Sequence, residues 1–170
     1  MQRAIGVPLA LLSTALLAQG PVHHWPLDEG TGALAFDIAG GSNGILQNGV
    51  AQQPGGGWFG GAYQFDGADD RVDLGPCDIT TGTGGFSISL WMKAGLMTGT
   101  EQMLLAKTVG PAPDDYVWSL SQVNSTAVRF RLQTTGTVTE LTTTGSSLFS
   151  GSLYHIAATY DGSMMRIGTH

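Results

Sequence analysis

The chain has 170 residues, 42% hydrophobic and only 12% charged, a balance that excludes a disordered polyelectrolyte and gives one domain enough apolar mass for a core. Its 26 glycines follow no period of three, which excludes a collagen-like rod and instead suits many tight turns. A formal charge of −6 without a Lys/Arg cluster argues against a nucleic-acid partner.

In chain order, Arg3 precedes an apolar run from residue 4 to residue 18, and small residues follow at Ala18 and Gly20. This run is too short to span a bilayer comfortably and has the layout of a secretory signal peptide. Residues 1–20 are therefore expected to be a signal peptide, with one domain over 21–170. The protein is expected to be secreted, extracellular or on the cell surface, and not membrane-spanning. Cys77 is the only cysteine, so no internal disulfide is possible.

Beyond residue 21 the apolar runs are short, alternating and bounded by Gly, Asn, Asp, Ser or Thr, the pattern of strands and turns. Strands are predicted at 22–26, 44–47, 62–66, 71–74, 86–93, 103–107, 116–121, 128–132, 137–143, 154–160 and 164–167. The period of two places Phe86, Ile88, Leu90 and Met92 on one face of their strand and Ser87, Ser89, Trp91 and Lys93 on the other. Residues 128–132 alternate apolar and basic, as expected of a strand with one buried and one wet face. The Thr/Ser/Gly-rich stretch 134–147 reads as an exposed edge strand and loop. No helical period is sustained beyond the first 20 residues. The fold class expected is all-β, an antiparallel β-sandwich or jelly roll.

Five segments in order sharpen this expectation. They are His24-Trp25-Pro26-Leu27-Asp28-Glu29-Gly30-Thr31-Gly32; Phe36-Asp37 with the turn Gly40-Gly41-Ser42-Asn43-Gly44; Gly60-Gly61-Ala62-Tyr63-Gln64-Phe65-Asp66-Gly67; Phe86 to Lys93; and Tyr154-His155-Ile156-Ala157-Ala158-Thr159-Tyr160-Asp161-Gly162. Together they resemble the laminin G-like, concanavalin A-type jelly-roll domain over residues 23–167. Two positions depart from that pattern. Leu153 stands where the family usually has Trp, and after Met165-Arg166-Ile167 the chain reads Gly168-Thr169-His170 where the family continues into further strands. The resemblance therefore implies a jelly roll incomplete at its C-terminus, marginal or aggregation-prone when expressed alone.

The glutamates Glu29, Glu101 and Glu140 do not form the Glu-x-Asp-x-x-Glu strand motif of one glycosidase family of this fold. Gly40-Gly41-Ser42-Asn43-Gly44 fits Gly-x-Ser-x-Gly by spacing but falls in a predicted turn that leads into a strand, not a helix, and no phosphate-binding glycine loop precedes a helix, so neither hydrolase chemistry nor a nucleotide cofactor is expected. His23 and His24 are adjacent and would point to opposite faces of a strand, which disfavours a shared zinc. Calcium is the metal to consider, because Asp28, Glu29, Asp37, Asp69, Asp70 and Asp161 fall in predicted turns. Asp69 and Asp70 are the expected donors; the alternative is that these acids only bond nearby backbone groups. Sugar recognition would use aromatic faces, and Trp58, Trp91, Trp118 and Tyr116 are the candidates. Trp91 and Trp118 lie on predicted strands, where packing is the expected role; Trp58 and Tyr116 are the expected ligand contacts. Asn124-Ser125-Thr126 fits an N-glycosylation acceptor.

The expected function is a secreted, non-catalytic recognition module for carbohydrate. The alternatives are a protein-binding adhesion or structural surface domain, or a fragment of a larger secreted glycan-active protein.

Overall fold

The structure is a computed structural model that describes residues 20–77, 79, 84–95, 100–110, 115–134, 136–144 and 148–170. The predicted signal segment lies outside the described residues except for Gly20. Among the described residues the secondary structure is strand, with no helix.

The strands are β1 (Leu34–Ala35), β2 (Gly44–Gln47), β3 (Ala51–Gln53), β4 (Ala62–Gln64), β5 (Arg71–Asp73), β6 (Phe86–Lys93), β7 (Glu101–Thr108), β8 (Tyr116–Val123), β9 (Ala127–Thr134), β10 (Thr137–Thr142), β11 (Leu153–Tyr160) and β12 (Met165–Thr169). All pairings are antiparallel. A four-stranded sheet has the order β10-β9-β8-β7 and a three-stranded sheet the order β12-β11-β6. Smaller sheets join β1-β2-β5 and β3-β4.

The two larger sheets face each other across the core. Ile88 of β6 and Ile156 and Ala158 of β11 meet Trp118 and Leu120 of β8 and Val128, Phe130 and Leu132 of β9. Phe86 crosses the interface, edge-on to Phe130 with centroids 6.0 Å apart. Leu120, Phe130 and Ile156 are fully buried, and each such side chain contributes about 2 kcal/mol of transfer free energy. This is the all-β antiparallel sandwich that the alternating pattern predicted.

Alternation also explains the opposite face of the larger sheet. With Phe130 turned inward, Arg129 and Arg131 turn outward. Arg131 donates to Glu140 of β10 at 2.7 Å, and Arg129 lies 3.4 Å from Glu101 of β7, whose carboxylate also takes the Ser121 hydroxyl at 2.6 Å. The charges are thus satisfied locally on the sheet surface. The β8–β9 turn carries positive φ at Asn124 (50°) and Ser125 (60°), the mirror-image geometry that matches the twist of a hairpin.

Two expectations need correction. Residues 22–26 form no strand, because their backbone groups bond to the loop at 37–42 rather than to a ladder: His24 N–H donates to Asp37 and the His24 carbonyl takes Ile38 N–H. Strands β1 and β3 were not anticipated; one has two residues, and the other, Ala51-Gln52-Gln53, offers little apolar signal.

Candidate functional site

The glycine-flanked turn before β4 has a strict local logic. Gly57 N–H donates to the Gly60 carbonyl at 3.1 Å, closing a four-residue loop around Trp58 and Phe59. Gly60 has φ of 72°, a left-handed conformation natural to glycine. A Cβ at Gly60 would collide with the Asp28 carboxylate, and one at Gly61 would meet the Leu27 carbonyl. Asp28 packs this closely because it accepts the Gly61 N–H. The next acid, Glu29, accepts Phe36 N–H and the Tyr63 hydroxyl, each at 2.6 Å. Burial, followed by the neighbouring Glu29 carboxylate, pushes the Tyr63 phenol well above its ordinary range, so it stays a neutral donor. The acid pair therefore fixes the position of β4 and of the turn before it.

That turn holds Trp58 and Phe59 in the open, 58% and 74% exposed. Trp58 lies flat on Trp91, with ring centroids 5.7 Å apart and planes 6° from parallel. Trp91 occupies an outward position of β6 and is itself 49% exposed. Phe59 sits edge-on to both indoles, 6.2 Å from Trp58 and 6.4 Å from Trp91. On the other side of Trp91 is His155, its cross-strand partner on β11, with centroids 5.0 Å apart. Each such aromatic contact contributes about 1 kcal/mol beyond area burial, so the exposed rings are held in a defined geometry. The result is a flat apolar platform rising from the outer face of the β12-β11-β6 sheet.

The structure places the sequence-derived candidates differently from one another. Trp58 is part of the platform. Tyr116 begins β8, opposite Thr108 of β7, and is half-buried; among the described residues no ring contact joins it to Trp58. Trp118 is 5% exposed and belongs to the core. Phe59 and His155 were not among the candidates, and Trp91 was a candidate expected to pack rather than to meet a ligand. For Trp91 a signal existed, since it shares a strand face with Ser87, Ser89 and Lys93.

Asp69 and Asp70 lie in the turn before β5, and Asp66 joins them, with one carboxylate oxygen from each lying within 4.8 Å of the others. One oxygen of Asp70 accepts Asp66 N–H at 3.0 Å, and one of Asp66 accepts Ala68 N–H at 2.8 Å. The Ala68 N–H, with further backbone donors, holds the Asp66 carboxyl below its ordinary value despite some desolvation. Three anionic oxygen donors suit a hard cation such as calcium. Asp66 was not among the expected donors, although its spacing to Asp69 and Asp70 is visible in the sequence.

The remaining turn acids serve the backbone. Asp37 is buried; its Oδ1 accepts N–H groups from His24, Ala39 and Gly40, and its Oδ2 accepts Ser42 N–H and lies 2.6 Å from His23 Nδ1. Burial alone would raise its pKa, but the hydrogen bonds from Gly40, His24, His23 and Ser42 outweigh this and hold it far below the carboxylate range. Asp161 caps the β11–β12 turn through Ser163 and Met164 N–H and pairs with Arg166 at 2.8 Å.

Among the described residues no helix is long and apolar enough to cross a membrane. An antiparallel sandwich with a solvent-facing aromatic platform is the architecture of a lectin-like or binding module. The chain belongs to the concanavalin A-like lectin/glucanases superfamily: its laminin G-like family model matches residues 66–167, more than half the chain. Comparison with curated proteins and with solved structures finds no match.

Proposed function

We propose that the protein is an exported, non-catalytic module that binds carbohydrate on the Trp58–Trp91 platform. The observation that carries this reading is the near-parallel stacking of two half-exposed indoles, Trp58 on a turn fixed by Asp28 and Trp91 on β6. A pyranose ring has an apolar C–H face that packs on such a surface, and a rigid platform lowers the entropy lost on binding. The lectin-like class of the family supports the same reading. Affinity gel electrophoresis against a panel of soluble polysaccharides tests it. Retardation by at least one polysaccharide, abolished in Trp58→Ala, is the expected result; unchanged retardation in that variant refutes the assignment.

A protein-binding surface is the second reading, favoured by a separate apolar patch. Leu34 of β1 and its cross-strand partner Ile45 of β2 are 40% and 52% exposed, and Phe36 beside them is 49% exposed. Contiguous exposed apolar groups of this kind mark contact surfaces.

Calcium has a structural place in the proposal. Asp66, Asp69 and Asp70 would hold the ion, and bound there it would neutralise their mutual repulsion and stiffen the turn into β5.

A further inference from the structure

We infer that the polysaccharide recognised by this platform is anionic, carrying carboxylate or sulfate groups, and that Lys93 is the residue that selects for them. The inference rests on the carbohydrate reading of Trp58 and Trp91 and names the chemical class of that ligand.

The argument is one of charge placement. The chain has 13 acidic residues and a net charge of −6, yet β6, β11 and β12 contain no Asp or Glu. The strands that carry the platform thus hold two cations, Lys93 and Arg166, and no acid, on a molecule that is acidic as a whole. Lys93 lies two residues from Trp91 on β6, so both project from the same face about 7 Å apart along the strand. That separation is well within the reach of a lysine side chain.

The other cations are differently placed. Arg129 and Arg131 pair with Glu101 and Glu140, Arg166 pairs with Asp161, and Lys107 donates to the Cys77 carbonyl. Among the described residues Lys93, Lys107 and Arg71 have no acid partner; Lys107 is taken up by the Cys77 carbonyl, and Arg71 belongs to the separate β1-β2-β5 sheet. The acid beneath the platform turn, Asp28, directs one oxygen to the Gly61 N–H and forms no ion pair with Lys93. Lys93 is thus a solvent-facing ammonium beside an aromatic stack with no internal acid to satisfy it. A sugar stacked on the indoles would present an acidic substituent to this ammonium, adding a charge-assisted hydrogen bond that a neutral sugar cannot make.

The experiment compares matched neutral and acidic chains by isothermal titration at low ionic strength. The pairs are hydroxyethyl cellulose with C6-oxidised cellulose and with cellulose sulfate, and methyl-esterified pectin with polygalacturonate. The wild-type chain is expected to bind an acidic member about fivefold or more tightly than its neutral counterpart, with the difference shrinking at high salt. Lys93→Gln, at an exposed position, is expected to keep its near-ultraviolet circular dichroism and to lose that preference. Whether the carboxylate or the sulfate arm shows the effect identifies the acidic group. Equal binding of neutral and acidic chains overturns this inference and leaves the carbohydrate reading standing. A preference that persists in Lys93→Gln overturns the role of Lys93. Absence of binding to every chain overturns both readings.

Discussion

The carboxylate of Asp28 accepts the backbone N–H of Gly61, and in doing so ties the N-terminal segment to the turn that displays Trp58. Removing it should therefore act at a distance on the platform. Asp28→Ala frees one backbone donor and opens space beneath Gly60. A stability loss of about 1–2 kcal/mol is expected from denaturant titration. Weaker polysaccharide binding should accompany it even though Asp28 touches no ligand. A variant with reduced stability and unchanged affinity would show that the turn is held by other contacts.

The two tryptophans that stand on display and in the core should separate cleanly on mutation. Trp118 is 5% exposed, so Trp118→Ala is expected to cost about 3–5 kcal/mol and to leave little folded protein. Trp58, 58% exposed, should cost about 1–2 kcal/mol in Trp58→Ala, the worth of its contacts with Trp91 and Phe59. Thermal melts measured beside polysaccharide binding distinguish them: one variant unfolds, the other folds and does not bind.

Acid stability should track Asp37. Its folded pKa lies far below the ordinary value of 3.8, so the unfolded state binds more protons over the interval between the two. The stabilisation is complete above the ordinary value and is lost as pH falls through that interval. Asp161, lowered to about 2 chiefly by Arg166, and Asp66 act in the same direction, but both are solvent-exposed and contribute less through screening. Asp37→Asn should reduce stability at neutral pH and flatten its decline in acid. Unfolding curves at a series of pH values check this; an unchanged slope would count against Asp37 as the dominant group.

Calcium should raise the melting temperature if Asp66, Asp69 and Asp70 hold it. The gain follows mass action, reaching about 2.7 kcal/mol at a concentration one hundred times Kd. Asp70→Asn should remove most of it, because that carboxylate also accepts Asp66 N–H and so organises the turn. A melting temperature indifferent to calcium in the wild-type chain would reduce the cluster to a turn motif.

Much of the architecture was legible because alternation leaves a direct trace in composition. Phe86 to Lys93 forms a strand over the expected residues, with Ile88 inward and Trp91 outward as the period of two requires. The alternation at Arg129 and Arg131 likewise foretold a wet face, though not that Glu101 and Glu140 would neutralise it, since those partners come from other strands. The platform was half legible. Trp58 stood out because it falls outside the predicted strands, but its stacking on Trp91 depends on a long-range fold that no local pattern encodes. Tyr116 drew notice as an aromatic residue, and only the sheet register places it apart from Trp58. The role of Gly60 and Gly61 was also hidden: the motif shows two glycines, while the reason for them is the approach of Asp28.

The parallel indoles have a spectroscopic consequence. Two chromophores stacked face to face couple their electronic transitions, so the ultraviolet signal of Trp58 and Trp91 together should differ from the sum of the two rings apart. A sugar settling on the outer indole changes its surroundings without requiring any refolding. The protein thereby carries a built-in optical reporter of occupancy, readable without a label and silenced by replacing either ring.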